Sequence, residues 1–363
     1  MATSIKRAET LMLGADEQGA WPLPWLAGPM AQAQALERAH ALLLVGPAGV
    51  GQLEFAGLLA QAHLCEDPRP RGPSGSPGPS GPCGRCAACH LVRRRAHPDL
   101  LAVVPEAWRV RLGWLGDDEA GSKSDAKPSK DIRIEQVRQA IDWTHQTSGR
   151  GRGKLLLLHP ADALNGPSAN ALLKTLEEPA AGLRILLTST DPERLLPTIR
   201  SRCQRVRLSA PPADEAARWL AAQGIDDPQT LLALAGGTPL EALDLGAEGF
   251  DAGLLSGLPL RVAAGDVSPL AGRPLPRVIE LLLKLAHDLQ ARAAGGAPRF
   301  FVDSQWPAAP SMAALVAWQK ALLQAARHDE HPWNAALLVE SLVTQAAALW
   351  PAAGTTRALN SAR

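Results

Sequence analysis

The sequence predicts an α/β fold: a parallel sheet of P-loop type carrying a cysteine insertion, then a small helical unit, then an all-α domain. Three observations predict it. Short apolar runs alternate with amphipathic stretches between Ala41 and Ser209, the pattern of strands buried under helices on both faces. A glycine-rich turn, "GPAGVGQL", joins the first run to the first of those helices. Beyond "SAPPAD" (Ser209 to Asp214) the strand signal stops and a helical Ala/Leu periodicity takes over.

The elements follow in order. Ala41 to Val45 is a buried strand and Leu53 to Leu64 a helix. Asp67 to Pro82 is dominated by Pro, Gly and Ser, has too little apolar surface to fold, and reads as an insertion. A second polar insertion spans 116–130. Ile134, Val137 and Ile141 mark one face of a helix. "SGRGRGK" (Ser148 to Lys154) reads as a basic, hairpin-like loop before the strand Leu155 to Leu158. Ser168 is the expected cap of "ANALLKTLEEP", which Pro179 ends. Leu183 to Ser189 and Cys203 to Ser209 complete the strands, four in all. The boundaries are then 1–209 for the α/β domain, with its cysteine insertion at 65–90, 210–250 for the small helical domain, and 258–363 for the helical domain. The last contains helices at Leu275 to Ala294 and Ser311 to Trp350, the second interrupted at "HDEHPWN".

Bulk properties exclude some functions. Apolar residues make up 46% of 363, enough for real cores, and the formal net charge of +1 argues against holding nucleic acid through an overall field. No apolar run has membrane-spanning length and "MATSIKRAET" lacks the apolar core of a signal peptide, so a cytoplasmic protein without membrane contact is expected. "VRRRAH" (Val92 to His97) and Arg150, Arg152 and Lys154 are the notable basic patches. They read as solvated loops ahead of DNA contacts.

The glycine turn almost spells a nucleotide site. A working P-loop, G-x-x-x-x-G-K-[ST], sets a lysine on the β/γ-phosphates and a hydroxyl on Mg²⁺. Gly46 and Gly51 hold the glycine positions, but Gln52 replaces the lysine and Leu53 the hydroxyl residue. A neutral amide does not offset phosphate charge and leucine ligates no metal, so no ATP is expected as cofactor. The strand that would carry metal-binding and water-activating acids is followed instead by His159 and Pro160, and Asp162 is displaced from that position and reads as a structural cap.

Cys65, Cys83, Cys86 and Cys89 form a C-x17-C-x2-C-x2-C cluster. Four thiolates suit tetrahedral zinc, and with no ligand position open the ion would be structural. His90 is an alternative ligand made awkward by its adjacency to Cys89, and four free reduced thiols are the other alternative. Cys203 reads as a small buried residue.

"NALLKTLEEP" (Asn170 to Pro179) with "LLTSTDPERLLPTIRSRCQ" (Leu186 to Gln204) resembles the AAA+ clamp-loader subunits of bacterial DNA polymerase III. The likeness is dense from Ala41 to Pro212 and weak in the helical C-terminal third. The four-cysteine insertion is similar to that family's zinc module, with a longer first spacing. "SRC" is Ser201, Arg202 and Cys203, and the resemblance implies that Arg202 reaches in trans into a neighbour's ATP. Taken alone, Arg202 reads as a surface arginine. The family's sensor-2 arginine falls on Leu240 of "GGTPLEAL". The combined losses point to the family's ATPase-inactive member. The resemblance implies an AAA+ domain, a lid at 210–250 and a collar at 258–363. It further implies a hetero-oligomeric ring with gamma/tau and delta subunits, loading a sliding clamp on primed DNA. The rival readings are an active gamma-type ATPase and a zinc-dependent nucleic-acid-binding module.

Overall fold

A computed structural model describes residues 14–70, 80–114, 128–327 and 334–350. Most of the two polar insertions and the interruption at "HDEHPWN" lie outside them. The chain divides into two compact units, Met1–Pro211 and Pro212–Arg363.

The first unit contains, in chain order, α1 (Ala27–Ala35), β1 (Ala41–Val45), α2 (Gln52–Leu64), β2 (Arg69–Pro70), β3 (Ser80–Gly81), α3 (Ala87–Arg93), β4 (Leu100–Val103), α4 (Glu106–Arg111), α5 (Ile134–Thr144), β5 (Lys154–Leu158), α6 (Gly166–Glu177), β6 (Leu183–Ser189), α7 (Pro197–Arg200) and β7 (Gln204–Arg207). Five strands form one sheet in the order β4-β5-β6-β1-β7, every pairing parallel. The inner strands read as unbroken apolar runs because helices cover both faces. All five residues of β5 are buried. β7 is an edge strand and alternates instead, only Val206 being buried.

Three sequence expectations change. The sheet gains a fifth strand, β4, whose four residues lie between Pro98 and Pro105 and are too few to display a period. α6 is capped by Asn165, whose side chain accepts from the Ser168 amide at 3.0 Å. Ser168 sits inside the first turn and donates its hydroxyl to the Ile132 carbonyl at 2.8 Å. The basic glycine turn connects α5 to a parallel strand, so it is not a hairpin. Asp99 clasps it, accepting from Gly149 N (2.7 Å), Arg150 N (2.9 Å) and Ser148 Oγ (3.0 Å).

The second unit is all helical: α8 (Ala213–Ala222), α9 (Pro228–Leu234), α10 (Pro239–Ala247), α11 (Ala252–Ala263), α12 (Leu275–Ala293), α13 (Met312–Arg327) and α14 (Ala335–Ala347). One buried cluster runs through it from Ala216 to Ala346, so the residues of 210–250 and those after 258 share a core. Asp288 is fully buried there. Its carboxylate accepts from the backbone amides of Arg299, Phe300 and Phe301 at 2.8–2.9 Å, which satisfies the charge and pins that loop to α12. Among the described residues no helix is long and apolar enough to cross a membrane.

Candidate functional site

The glycine turn opens where β1 ends, between β6 and β7, at the carboxyl edge of the sheet. Open α/β sheets bind their ligands at that edge. Its backbone geometry is that of a phosphate-cradling loop. Gly51 has φ +102°, and a Cβ at Gly46 would sit 2.4 Å from the Leu208 carbonyl oxygen, so both positions require glycine. The side chains do something else. Gln52, buried, turns back over the loop and donates to the Gly46 carbonyl (2.6 Å) and the Pro47 carbonyl (3.0 Å). Where a P-loop lysine would reach outward for phosphate, this amide is spent on the loop itself. Leu53 is buried.

The other positions named from the sequence agree. His159, following β5, is buried, bonds Thr188 Oγ1 at 2.7 Å, and meets the Trp108 ring edge-on at 4.5 Å. Asp162 accepts from Ser189 Oγ, Thr190 N and Thr190 Oγ1 at 2.5–2.9 Å, the structural role expected of it. Leu240 is fully buried in the second unit.

Arg202 lies at the other edge. β7 begins two residues later, with Gln204 paired to Leu42 near the start of β1. The length of β1, four steps of about 3.3 Å, therefore separates it from the glycine turn. Its side chain retains 32% exposure and lines a recess of about 710 Å³ with Glu37, Arg38, His40 and Gln204. One guanidinium nitrogen donates to the Thr198 carbonyl at 2.9 Å and the other pairs with Glu177 of α6. The "LEEP" and "SRC" strings, far apart in sequence, are thus joined by an ion pair. Sequence reading missed that partner, because nothing in either string specifies the crossing. Cys203 beside it is buried, which pushes its thiol up to about 12.

The four clustered cysteines converge as their spacing requires. Their sulfurs all lie within 4.8 Å of one another, with Cys65–Cys86 and Cys83–Cys89 each at 3.9 Å. Metal–sulfur bonds of about 2.3 Å in tetrahedral geometry place sulfurs about 3.8 Å apart, so the set fits such an ion. No disulfide joins them. Backbone amides of Cys83, Cys86 and Cys89 donate to the sulfurs of Cys65, Cys83 and Cys86 at 3.2–3.4 Å. The hydrogen bond from Cys89 draws the Cys65 thiol down to about 5, and the same bond with burial pushes Cys89 up. His90 is outside the set, its Nδ1 meeting Arg93 at 2.6 Å. The basic turn Ser148–Lys154 fastens this module to the sheet: Arg150 pairs with Glu66 and Arg152 donates to the Cys65 carbonyl. These cations are engaged within the protein.

The family model described as "DNA polymerase III, delta subunit" matches residues 30–212, half of the chain. The chain belongs to this family. Among curated relatives, the DNA polymerase III subunit delta' of Pseudomonas aeruginosa is 36% identical over 217 residues, 59% of this chain and 57% of that protein. The delta' subunit of Escherichia coli is 30% identical over 229 residues, 61% and 60% of the two chains. The tau subunit of Salmonella typhimurium is 33% identical over 171 residues, 47% of this chain and 22% of that one. The alignment therefore spans under two thirds of the delta' relatives' own length, and it is in the first unit that the family match falls. Gln52 and Leu53 stand where a nucleotide site of this loop type requires a lysine and a hydroxyl residue.

Proposed function

We propose that this chain is a delta-prime subunit of a bacterial clamp loader, inactive in ATP hydrolysis itself, that supplies Arg202 to ATP bound by a neighbouring subunit. The observation that carries this reading is the split between the sheet's two edges. Gln52 closes the chain's own loop, while Arg202 is partly exposed at the opposite edge, out of reach of that loop. The guanidinium, partly exposed and held by Glu177 and the Thr198 carbonyl, would exchange those partners for γ-phosphate charge as it develops. The neighbours would be gamma/tau and delta subunits in a ring, acting in the cytoplasm to load a sliding clamp on primed DNA.

Residues 210–250 serve as lid and the helices after 258 as collar in this reading. Met312, Val316 and Leu323 support it, because they leave one face of α13 apolar and exposed, as a helix that packs against neighbouring subunits would. Cys65, Cys83, Cys86 and Cys89 would hold structural zinc, cross-linking α2, the β2–β3 ribbon and α3. Chelation is then expected to lower the melting temperature of the purified chain by more than 5 °C, read by circular dichroism with metal content measured alongside. An active gamma-type role conflicts with Gln52 and Leu53. A nucleic-acid module lacks a free basic face at Arg150 and Arg152.

The test is ATP turnover of the reconstituted assembly with Arg202→Ala. Loss of about tenfold or more, with subunit stoichiometry intact, supports the reading. An unchanged rate makes Arg202 a surface residue.

A further inference from the structure

The strand missing from the sequence reading defines a second surface. β4 is the outer strand of the sheet on the side away from β7, and among the described residues no strand lies beyond it. In a parallel ladder alternate residues bond to one side. Leu155 N bonds Asp99 O and His159 N bonds Val103 O, so Asp99, Leu101 and Val103 face β5. Ala102 N–H and C=O therefore point outward. A groove of about 670 Å³ runs along this edge and wraps both faces of the strand, with Leu100 to Val104 all in its wall. Trp143 and Ala140 of α5 line one side, and Gly57 of α2 with Leu157 the other.

The charge of the groove has one sign. Arg94, Arg95 and Arg109 line it, and among the described residues no carboxylate does. Arg94 and Arg95 are exposed, and Arg95 stacks over the Trp114 ring at 4.9 Å, which orients that cation along the groove wall. These are residues of the "VRRRAH" run, which the ATP-related reading leaves without a role.

We propose that the groove along β4 takes an extended acidic peptide, from another protein, as an added strand. Its main chain would pair with the outward amide and carbonyl of Ala102, an apolar side chain would enter between Trp143 and Leu101, and its carboxylates would meet Arg94 and Arg95. A peptide is favoured over single-stranded nucleic acid because the floor is the four-residue edge strand Leu100–Val103 with the Ala102 amide and carbonyl outward. That pattern matches a polypeptide backbone and gives a phosphodiester chain one donor only. The proposal stands apart from the role of Arg202.

The probe is a fluorescein-labelled heptapeptide alternating Glu and Val, titrated by anisotropy into the full chain, with labelled oligodeoxythymidine in parallel. Saturable peptide binding is expected. Arg94→Glu with Arg95→Glu should weaken it at least tenfold, and Arg205→Glu, a charge change on the far edge strand, should leave it within twofold. Hydrogen exchange on the unmutated chain gives a second readout that no folding defect confounds: peptide should slow exchange of the Ala102 amide. Binding without protection of Ala102 would overturn strand addition, reducing the contact to charge alone. Binding of the oligonucleotide and not the peptide, with the same arginine dependence, would overturn the peptide and assign a nucleic-acid site. Absence of binding by either overturns the proposal.

Discussion

The two edges of the parallel sheet are built from similar material and end in opposite chemistry. At the carboxyl edge a glycine turn retains the backbone of a phosphate loop, yet its one polar side chain bonds inward to Gly46 and Pro47. At the amino edge Arg202 keeps its guanidinium at the surface, steadied by one carbonyl and one carboxylate. A loop's shape can outlast its chemistry, because backbone geometry is fixed by glycine and packing whereas reactivity rests on one or two side chains. Mutations at the first edge should therefore be read in stability, and those at the second in turnover of the assembly.

The largest expected effect is at the closed edge. Gly46→Ala places a Cβ against the Leu208 carbonyl, a backbone atom that does not move aside, and should cost about 3 kcal/mol of unfolding free energy in urea titration. Gln52→Ala leaves two loop carbonyls without their donor and should cost about 2 kcal/mol, with turnover of the assembly unchanged. If Gln52→Ala instead abolished turnover with stability intact, the contrast between the edges would fail. The smallest effect belongs to the open edge. Glu177→Gln removes the charge that steadies Arg202 from a pair that is partly exposed, so stability should shift by less than about 1 kcal/mol. Turnover should nonetheless fall about threefold, or about 0.7 kcal/mol, through misplacement of the fork. A larger loss of stability than of turnover would make Glu177 a structural residue only.

What sequence made legible, and what it did not, divides along a physical line. The loop, its missing lysine and the cysteine cluster were readable because each is a fixed spacing of residue types within one or two elements. The Glu177–Arg202 pair and the Asp99 clasp on the basic turn Ser148–Lys154 were not. Each joins residues whose meeting depends on how separate elements cross. β4 was hidden for a third reason: a four-residue strand between prolines has no period to detect. Its omission also hid the groove that gives the Arg94–Arg95 pair a setting. Asn165 rather than Ser168 capping α6 is a local error of the same kind, since both residues suit a cap and only the backbone decides.

The most direct measurement of the central claim is an equilibrium titration of ATP with Mg²⁺ into the isolated chain, followed by calorimetry. Closure of the loop by Gln52 predicts no saturable binding at the millimolar concentrations of nucleotide found in cells. Saturable one-to-one binding at micromolar concentration, lost on Gly51→Asp, would contradict it and return the loop to the class of working nucleotide sites.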